Sequence, residues 1–387
     1  MNSEGESACR PRARDLGIVL GQLPCGPLNA ITDVEGVRVG HCTLIRGEGN
    51  LVPGQGPVRT GVTAILPHGG NVYRDKVAAG VDVINGYGKC VGLPQLVELG
   101  QLESPVLLTS TLNTWRVADA LLDWVLERNP DIAITTSTVN VVVGECHDGY
   151  LNDAQGRHVG REHVYRALRE ARSGPVAEGA VGAGTGMSAF EFKGGVGTSS
   201  RCAPQESGGF TVGVLVVSNF GSREQLLVGG VPVGMELPRR DVGAVSQVGG
   251  GSIMMVLATD APLTSRQLAR VARRAAAGLA RTGSIHTHGS GDFVIAFSTT
   301  NRQGHDDRAV ERGQALAAHR HEVMNPLFQA AAEATEEAII NSLLRAETVV
   351  GRDGHTREAL PIGALVEIMR RYGRPEVGRE WLLRNGE

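Results

Sequence analysis

Apolar residues recur along this chain at two spacings, one near two residues and one near three and a half, in alternating blocks. In ITDVEGVRVGHC (31–42), Ile31, Val34, Val37 and Val39 stand among polar residues, which predicts a strand pair turning at Glu35-Gly36. The turn-rich GEGNLVPGQGPVRTG (47–61) predicts a loop leading into GVTAILP, a short buried strand. Further strands are predicted within 81–85, 105–111, 131–145, 210–221, 252–259 and 292–299. The stretches 210–217 and 252–258 are almost continuously apolar, as in sheets covered on both faces.

Helical spacing is clearest in three places. LNTWRVADALLDWVLER (112–128) gathers Trp115, Val117, Leu121, Trp124 and Val125 near one face. LTSRQLARVARRAAAGLAR (263–281) does the same with Leu268, Val271, Ala272, Ala275 and Leu279, and Thr264 or Ser265 suits its N-cap. A third helix is predicted over 321–347 with Pro326 close to its start, and a shorter amphipathic segment over 361–373 ends at Gly373. Helices fall between groups of strands without strict alternation, which predicts one layered α/β or α+β domain. No internal repeat is visible, and the linker-like 47–60 lies too near the N-terminus to divide two domains.

Composition narrows the partners. A formal net charge of −3 without a long basic block, and 4% aromatic residues, argue against nucleic acid and membrane surfaces. Glycine is the outlier, 53 of 387 residues, roughly double the usual ~7%. It is spread over the whole chain, which implies tight turns and close backbone approaches. The six cysteines are scattered without a C-x-x-C pair and read as reduced thiols. No signal-peptide core opens the chain and no run of 18 apolar residues occurs, so a soluble cytoplasmic protein is expected.

Candidate chemistry centres on VSQVGGGSIMMVLATDAPL (245–263), where Gly249, Gly250 and Gly251 run into Ser252 at the head of a predicted buried strand. Glycine before serine permits a strained peptide bond. Attack of the Ser252 hydroxyl on the preceding carbonyl would give an ester, and its hydrolysis would leave Ser252 as a new N-terminus with its own amine as base. A glycine-rich turn feeding a core strand is the plainer reading of the same spacing. In THGSGDF (287–293), Ser290 and Asp292 are two apart and can share one side of a strand. Asn219 ends the apolar run VLVVSNFG, where an amide can donate to a developing oxyanion. G-T-G-M-S-A (184–189) fits the dinucleotide pattern G-x-G-x-x-A, but it continues into FEFKGGVGTSS rather than a helix. His286-x-His288, His319-x-His321 and His305 with Asp306 and Asp307 match no metal-binding spacing. No metal or organic cofactor is expected.

Taken together these stretches resemble the L-aminopeptidase/D-esterase (D-amidase) and β-aminopeptidase family of self-processing hydrolases. The likeness is carried by 26–41, 56–71, 145–153, 181–201, 214–221, 251–263, 289–299 and 333–361, in order along nearly the whole chain. The resemblance implies a four-layer αββα sandwich, similar to N-terminal nucleophile hydrolases but with different connectivity. It implies cleavage between Gly251 and Ser252 into an α-chain 1–251 and a β-chain 252–387 that stay associated, often within a homo-tetramer. Carried over by motif, Ser252 is nucleophile and, through its freed amine, base. Asn219 supplies an oxyanion donor, while Ser290 and Asp292 orient the nucleophile and help bind the substrate amine. The family draws an oxyanion tyrosine from the segment that reads ECHDGYLND here, where His147 and Tyr150 are the candidates. Asp292 stands where some β-aminopeptidases carry Glu, a departure that bears on substrate preference, and Lys89 stands where an acidic residue is expected. The implied activity is release of N-terminal residues from small peptides, amides or esters through an acyl-Ser252 intermediate. The rivals are an acyltransferase of the ornithine acetyltransferase type and an uncleaved binding protein on the same fold.

Overall fold

The computed structural model describes residues 10–238, 251–305 and 321–385. Two sheets face each other. The first joins β1 (Arg38–Arg46), β2 (Val58–Leu66), β6 (Val106–Ser110), β7 (Val142–Cys146) and β4 (Cys90–Val91), in that order. The second runs β10 (Gly195–Cys202), β11 (Thr211–Asn219), β12 (Ser252–Thr259), β13 (Gly291–Gly304), β3 (Asp75–Gly86) and β5 (Gln101–Leu102). Pairing is antiparallel except for β6 with β7 and β12 with β13. Two small ribbons complete the strands, β8 (Ser188–Ala189) with β9 (Phe192–Lys193) and β14 (Val349–Val350) with β15 (Thr356–Arg357).

Side-chain alternation divides the core into three slabs. Between the sheets lie Ile65, Val106, Leu108, Val142 and Cys146 from one side and Leu215, Val217, Met254, Val256 and Phe293 from the other. Outside the first sheet, Val62, Ala64, Leu107 and Val143 pack under α2 (Thr114–Arg128) and α3 (Arg161–Arg169). Outside the second, Val214, Val216, Ile253, Met255 and Val294 meet α5 (Ser265–Ala272), α6 (Ala275–Arg281) and α7 (His321–Leu344). The layers therefore run α, β, β, α. β11 and β12 are buried on both faces, which is why their sequences are nearly unbroken apolar runs.

Glycine brings helix and sheet into contact. A Cβ at Gly197 would lie 1.9 Å from the Ala338 carbonyl of α7, and one at Gly40 would lie 2.1 Å from the Ala167 carbonyl of α3. Helix backbones rest directly on strand backbones at these points. The pattern-based elements differ from the structure in four places. Residues 31–33 form a 3-10 turn and the strand starts only at Arg38, because both Asp33 carboxylate oxygens accept upstream N–H groups, from Leu28 and Ala30. Of 131–145 only the end is a strand; at the start the N–H groups of Ile134, Thr135 and Thr136 all converge on the Asp131 carbonyl. The helix expected over 263–281 breaks into α5, which lies on β3 and β13, and α6, which turns onto α7. Trp115, expected inside, is 58% exposed. The 184–189 stretch leads into a ribbon and then β10, not into a helix.

Among the described residues no helix is long and apolar enough to cross a membrane, and no cluster of three metal-ligating side chains occurs. His319, Asp306 and Asp307 lie outside the described residues. Cys25, Cys42, Cys90, Cys146 and Cys202 are all unpaired.

Candidate active site

Three distant segments end at one edge of the gap between the sheets. β12 opens with Ser252, β11 closes with Asn219 directly opposite it in register, and β7 of the facing sheet closes with Cys146 followed by His147. Ser252 and Asn219 share the alternation of Met254 and Val217, so both side chains point into the gap. They are 5% and 4% exposed.

Two N–H donors approach the Ser252 hydroxyl. The main-chain N–H of His147 lies 3.3 Å from Ser252 Oγ and Asn219 Nδ2 lies 3.5 Å from it. The Asn219 amide is held in one orientation: its Oδ1 accepts from the Ser188 N–H at 2.8 Å and its Nδ2 also donates to the His147 carbonyl at 2.9 Å. The contribution of His147 is thus its backbone. Its imidazole Nδ1 accepts from the Gly149 N–H, and no described bond carries the ring to Ser252. Tyr150 stands further off, its ring stacked on His355 at 4.6 Å and the Arg357 guanidinium over it at 3.7 Å. Arg357 in turn donates to Ser188 Oγ at 3.1 Å, which joins Tyr150 to the residue whose N–H bonds Asn219.

Ser290 and Asp292 do meet each other, Ser290 Oγ donating to Asp292 Oδ1 at 2.5 Å. They do not reach Ser252 Oγ. Asp292 pairs with Ile253, and that face of the sheet looks toward the helices, away from the gap. Their link to the serine is through the main chain: the Gly291 N–H between them donates to the Gly251 carbonyl at 3.1 Å, the carbonyl of the Gly251–Ser252 bond itself. Burial pushes the Asp292 carboxyl up, against the opposing pull of the Ser290 hydroxyl and of His286, whose Nδ1 lies 3.4 Å from Asp292 Oδ2. His286 holds a left-handed φ of 51° to stand there. Lys89 Nζ bonds to Thr111 Oγ1 at 2.8 Å and lies 3.4 Å from the buried Glu145 carboxylate, on the residue before Cys146.

Residue-type reasoning could not find the His147 N–H, the Ser188 N–H or the Gly291 N–H, because main-chain donors leave no side-chain signature. Their only trace is position, each beside a residue that motif reasoning does pick out.

Four layers in this order, with a serine opening a central strand, place the molecule among hydrolases of N-terminal-nucleophile architecture. Comparison with known proteins narrows the class. Residues 29–357 match peptidase family S58, and the chain belongs to that family. It is 44% identical over 384 residues to the β-peptidyl aminopeptidase BapA of Sphingosinicella microcystinivorans, covering 95% of this chain and 94% of that one. Among solved structures it superposes on the PH0078 protein of Pyrococcus horikoshii OT3 with a TM-score of 0.88 and 57% identity, over 94% of this chain and all of that one. It also superposes on the L-aminopeptidase D-Ala-esterase/amidase of Ochrobactrum anthropi, a variant of the Ntn hydrolase fold, with a TM-score of 0.85, 40% identity and 94% and 99% coverage. The chain is a serine-type aminopeptidase, a hydrolase.

Proposed function

We propose that Ser252 is the nucleophile of this aminopeptidase and creates itself by cutting the Gly251–Ser252 bond. The observation that carries the reading is the Ser252 hydroxyl at the head of β12, with the His147 and Asn219 N–H groups converging on it at 3.3 and 3.5 Å. In the uncut chain the scissile carbonyl of Gly251 already accepts the Gly291 N–H, which polarises it toward attack by Ser252 Oγ. The C–N bond breaks as the C–O ester forms, and the Ser252 nitrogen takes the hydroxyl proton. Water then releases the 1–251 carboxylate. Ser252 is left with a free amine that removes the proton from its own hydroxyl. The same hydroxyl attacks the carbonyl of a substrate's N-terminal residue, and the negative oxygen develops where the His147 and Asn219 donors can receive it. Water completes the cycle by hydrolysing the acyl-serine. No step draws on a metal or an organic cofactor.

The Ser290–Asp292 pair holds the start of β13 so that the Gly291 N–H meets the scissile carbonyl, and Tyr150 supports Asn219 through Arg357 and Ser188. The two chains stay together because β12 is hydrogen-bonded between β11 and β13, and they assemble into a homo-oligomer, a tetramer, in the cytoplasm. Substrates are small peptides, amides or esters with a free N-terminal residue. The likeness to a β-peptidyl aminopeptidase puts β-amino-acyl groups among them.

The test is hydrolysis of L-, D- and β-aminoacyl p-nitroanilides by the wild type and by Ser252→Ala. Release by the wild type and none by the variant supports the reading. Equal release by both proteins, or none by either when the wild type is folded and cut, refutes it.

A further inference from the structure

One fully buried cation has no part in the chemistry described so far. Lys193 is 0% exposed, and its ammonium donates to three main-chain carbonyls, Gly184 at 2.8 Å, Met187 at 2.9 Å and Gly194 at 2.8 Å. An ammonium has three donors, and here all three are used on one short piece of backbone. Lys193 closes the β8–β9 hairpin, in which Ser188 pairs with Lys193 and Ala189 with Phe192. The two residues at its tip, Phe190 and Glu191, carry φ of 51° and 63°. A two-residue turn with both φ positive normally requires Asn or Gly, and other side chains are strained in that region. The hairpin therefore persists only because its surroundings over-determine it.

What the strained hairpin grips is the oxyanion side of the site. The Ser188 N–H bonds to Asn219 Oδ1, and the Phe190 N–H bonds to the Phe220 carbonyl at 2.7 Å. The Phe190 ring, itself fully buried, meets the Phe220 ring edge-on at 5.0 Å. The last residue of β11 and the residue after it are thus held by alternate residues of the hairpin. The Asn219 Oδ1 can only accept and its Nδ2 can only donate, so the Ser188 N–H on one end and the His147 carbonyl on the other together turn Nδ2 toward Ser252.

We propose that Lys193 is a positioning residue for the reaction: its ammonium locks the Ser188–Lys193 hairpin so that the Ser188 N–H fixes the Asn219 amide with Nδ2 toward Ser252. The inference rests on the preceding reading of Asn219 as an oxyanion donor. Its buried counter-charge is Asp148, whose carboxylate accepts from Thr60 Oγ1 at 2.6 Å, Ser110 Oγ at 2.7 Å and Asn152 Nδ2 at 3.1 Å. Asp148 follows His147 directly in the chain, and Lys193 pairs with Ser188 in the hairpin. Burial draws the Lys193 ammonium down to about 7 and pushes the Asp148 carboxyl up.

Lys193→Met and Lys193→Gln, each made in the wild type and in Asn219→Ala, separate positioning from general support. Circular dichroism and thermal melting establish that each protein folds, and kcat and KM are normalised to the cleaved fraction. In the wild-type background kcat is expected to fall about 10²–10³-fold, the worth of one oxyanion donor, with KM nearly unchanged. In Asn219→Ala the same substitution is expected to have little further effect, since the group it positions is gone. Lys193→Gln, which keeps two donors, is expected to fall between wild type and Lys193→Met. An equal fold-loss in both backgrounds, a rise in KM at constant kcat, or loss of folding with both substitutions overturns the proposal, because Lys193 would then serve the scaffold. If Asn219→Ala alone keeps wild-type kcat, it is the reading of Asn219 that fails.

Discussion

Replacing Asn219 with Ala removes three contacts at once, and they act on different observables. The Nδ2 donor to Ser252 Oγ is long in the resting chain at 3.5 Å, as catalytic hydrogen bonds are before charge develops. Losing an oxyanion donor costs about 10²–10³ in kcat, about 3–4 kcal/mol of transition-state stabilisation. The other two contacts, with the Ser188 N–H and the His147 carbonyl, are buried. Each group left unpaired costs about 1–3 kcal/mol of stability. Asn219→Ala is therefore expected to lower both kcat and the unfolding midpoint, and to slow self-cleavage. Asn219→Asp separates the two effects. A carboxylate still accepts from Ser188, which preserves part of the stability, but it turns an oxygen toward the His147 carbonyl and Ser252 Oγ and cannot donate. Steady-state kinetics at alkaline pH, where the carboxylate is ionised, beside urea unfolding of the same samples, gives both readouts. Asn219→Asp with wild-type kcat, or Asn219→Ala within a few-fold of wild type, would refute the argument from donor geometry.

Two further expectations concern the frame around the site. Arg201 is fully buried, with Nη2 at 2.6 Å from both Glu337 Oε2 and the Leu20 carbonyl and Nε 3.4 Å from Glu333; Arg201→Met leaves Glu337 with Arg14 and Glu333 with the Leu23 N–H and Gln329, and is expected to cost about 3 kcal/mol in urea unfolding, the low end for a broken buried pair, whereas a cost below 1 kcal/mol would contradict the pairing. His41 has Nδ1 on Thr63 Oγ1 at 2.9 Å and a sealed, unpartnered Nε2, and burial lowers it from 6.5 to about 4. Between those values the unfolded chain holds a proton that the folded chain refuses, so stability is full above 6.5 and falls as pH drops toward 4. The loss is at most about 1.4 kcal/mol per pH unit and about 3 kcal/mol in all, an upper bound because the ring is not wholly enclosed. Unfolding midpoints across that interval should flatten in His41→Asn, and an unchanged slope would count against it.

The elements that the sequence predicts well are those in which burial alone decides. β11 and β12 are enclosed on both faces, and nothing polar interrupts them before Ser218 and Thr259. The elements it predicts poorly are decided by single polar groups. Asp33 diverts 31–33 into a turn by taking two upstream N–H groups, and the Asp131 carbonyl gathers three N–H groups into a turn made of β-formers. Within the site, Ser252 and Asn219 are visible as strand ends, yet their meeting depends on an antiparallel register no local spacing encodes. The face of Asp292 likewise follows from the β12–β13 register: pairing with Ile253 rather than Ser252 turns it to the helix side. Lys193 is hidden for a different reason. A lysine between Phe192 and Gly194 carries no sign of burial until the hairpin wraps three carbonyls around it.

The central claim is that Ser252 makes itself an N-terminus. Intact mass and N-terminal sequencing of the purified protein, beside Ser252→Ala, test it most directly. Wild-type protein is expected to resolve under denaturing conditions into fragments 1–251 and 252–387, the second beginning at Ser252, while the variant stays whole. A wild-type protein that remains one folded, uncut chain, or is cut at another bond, would contradict the account.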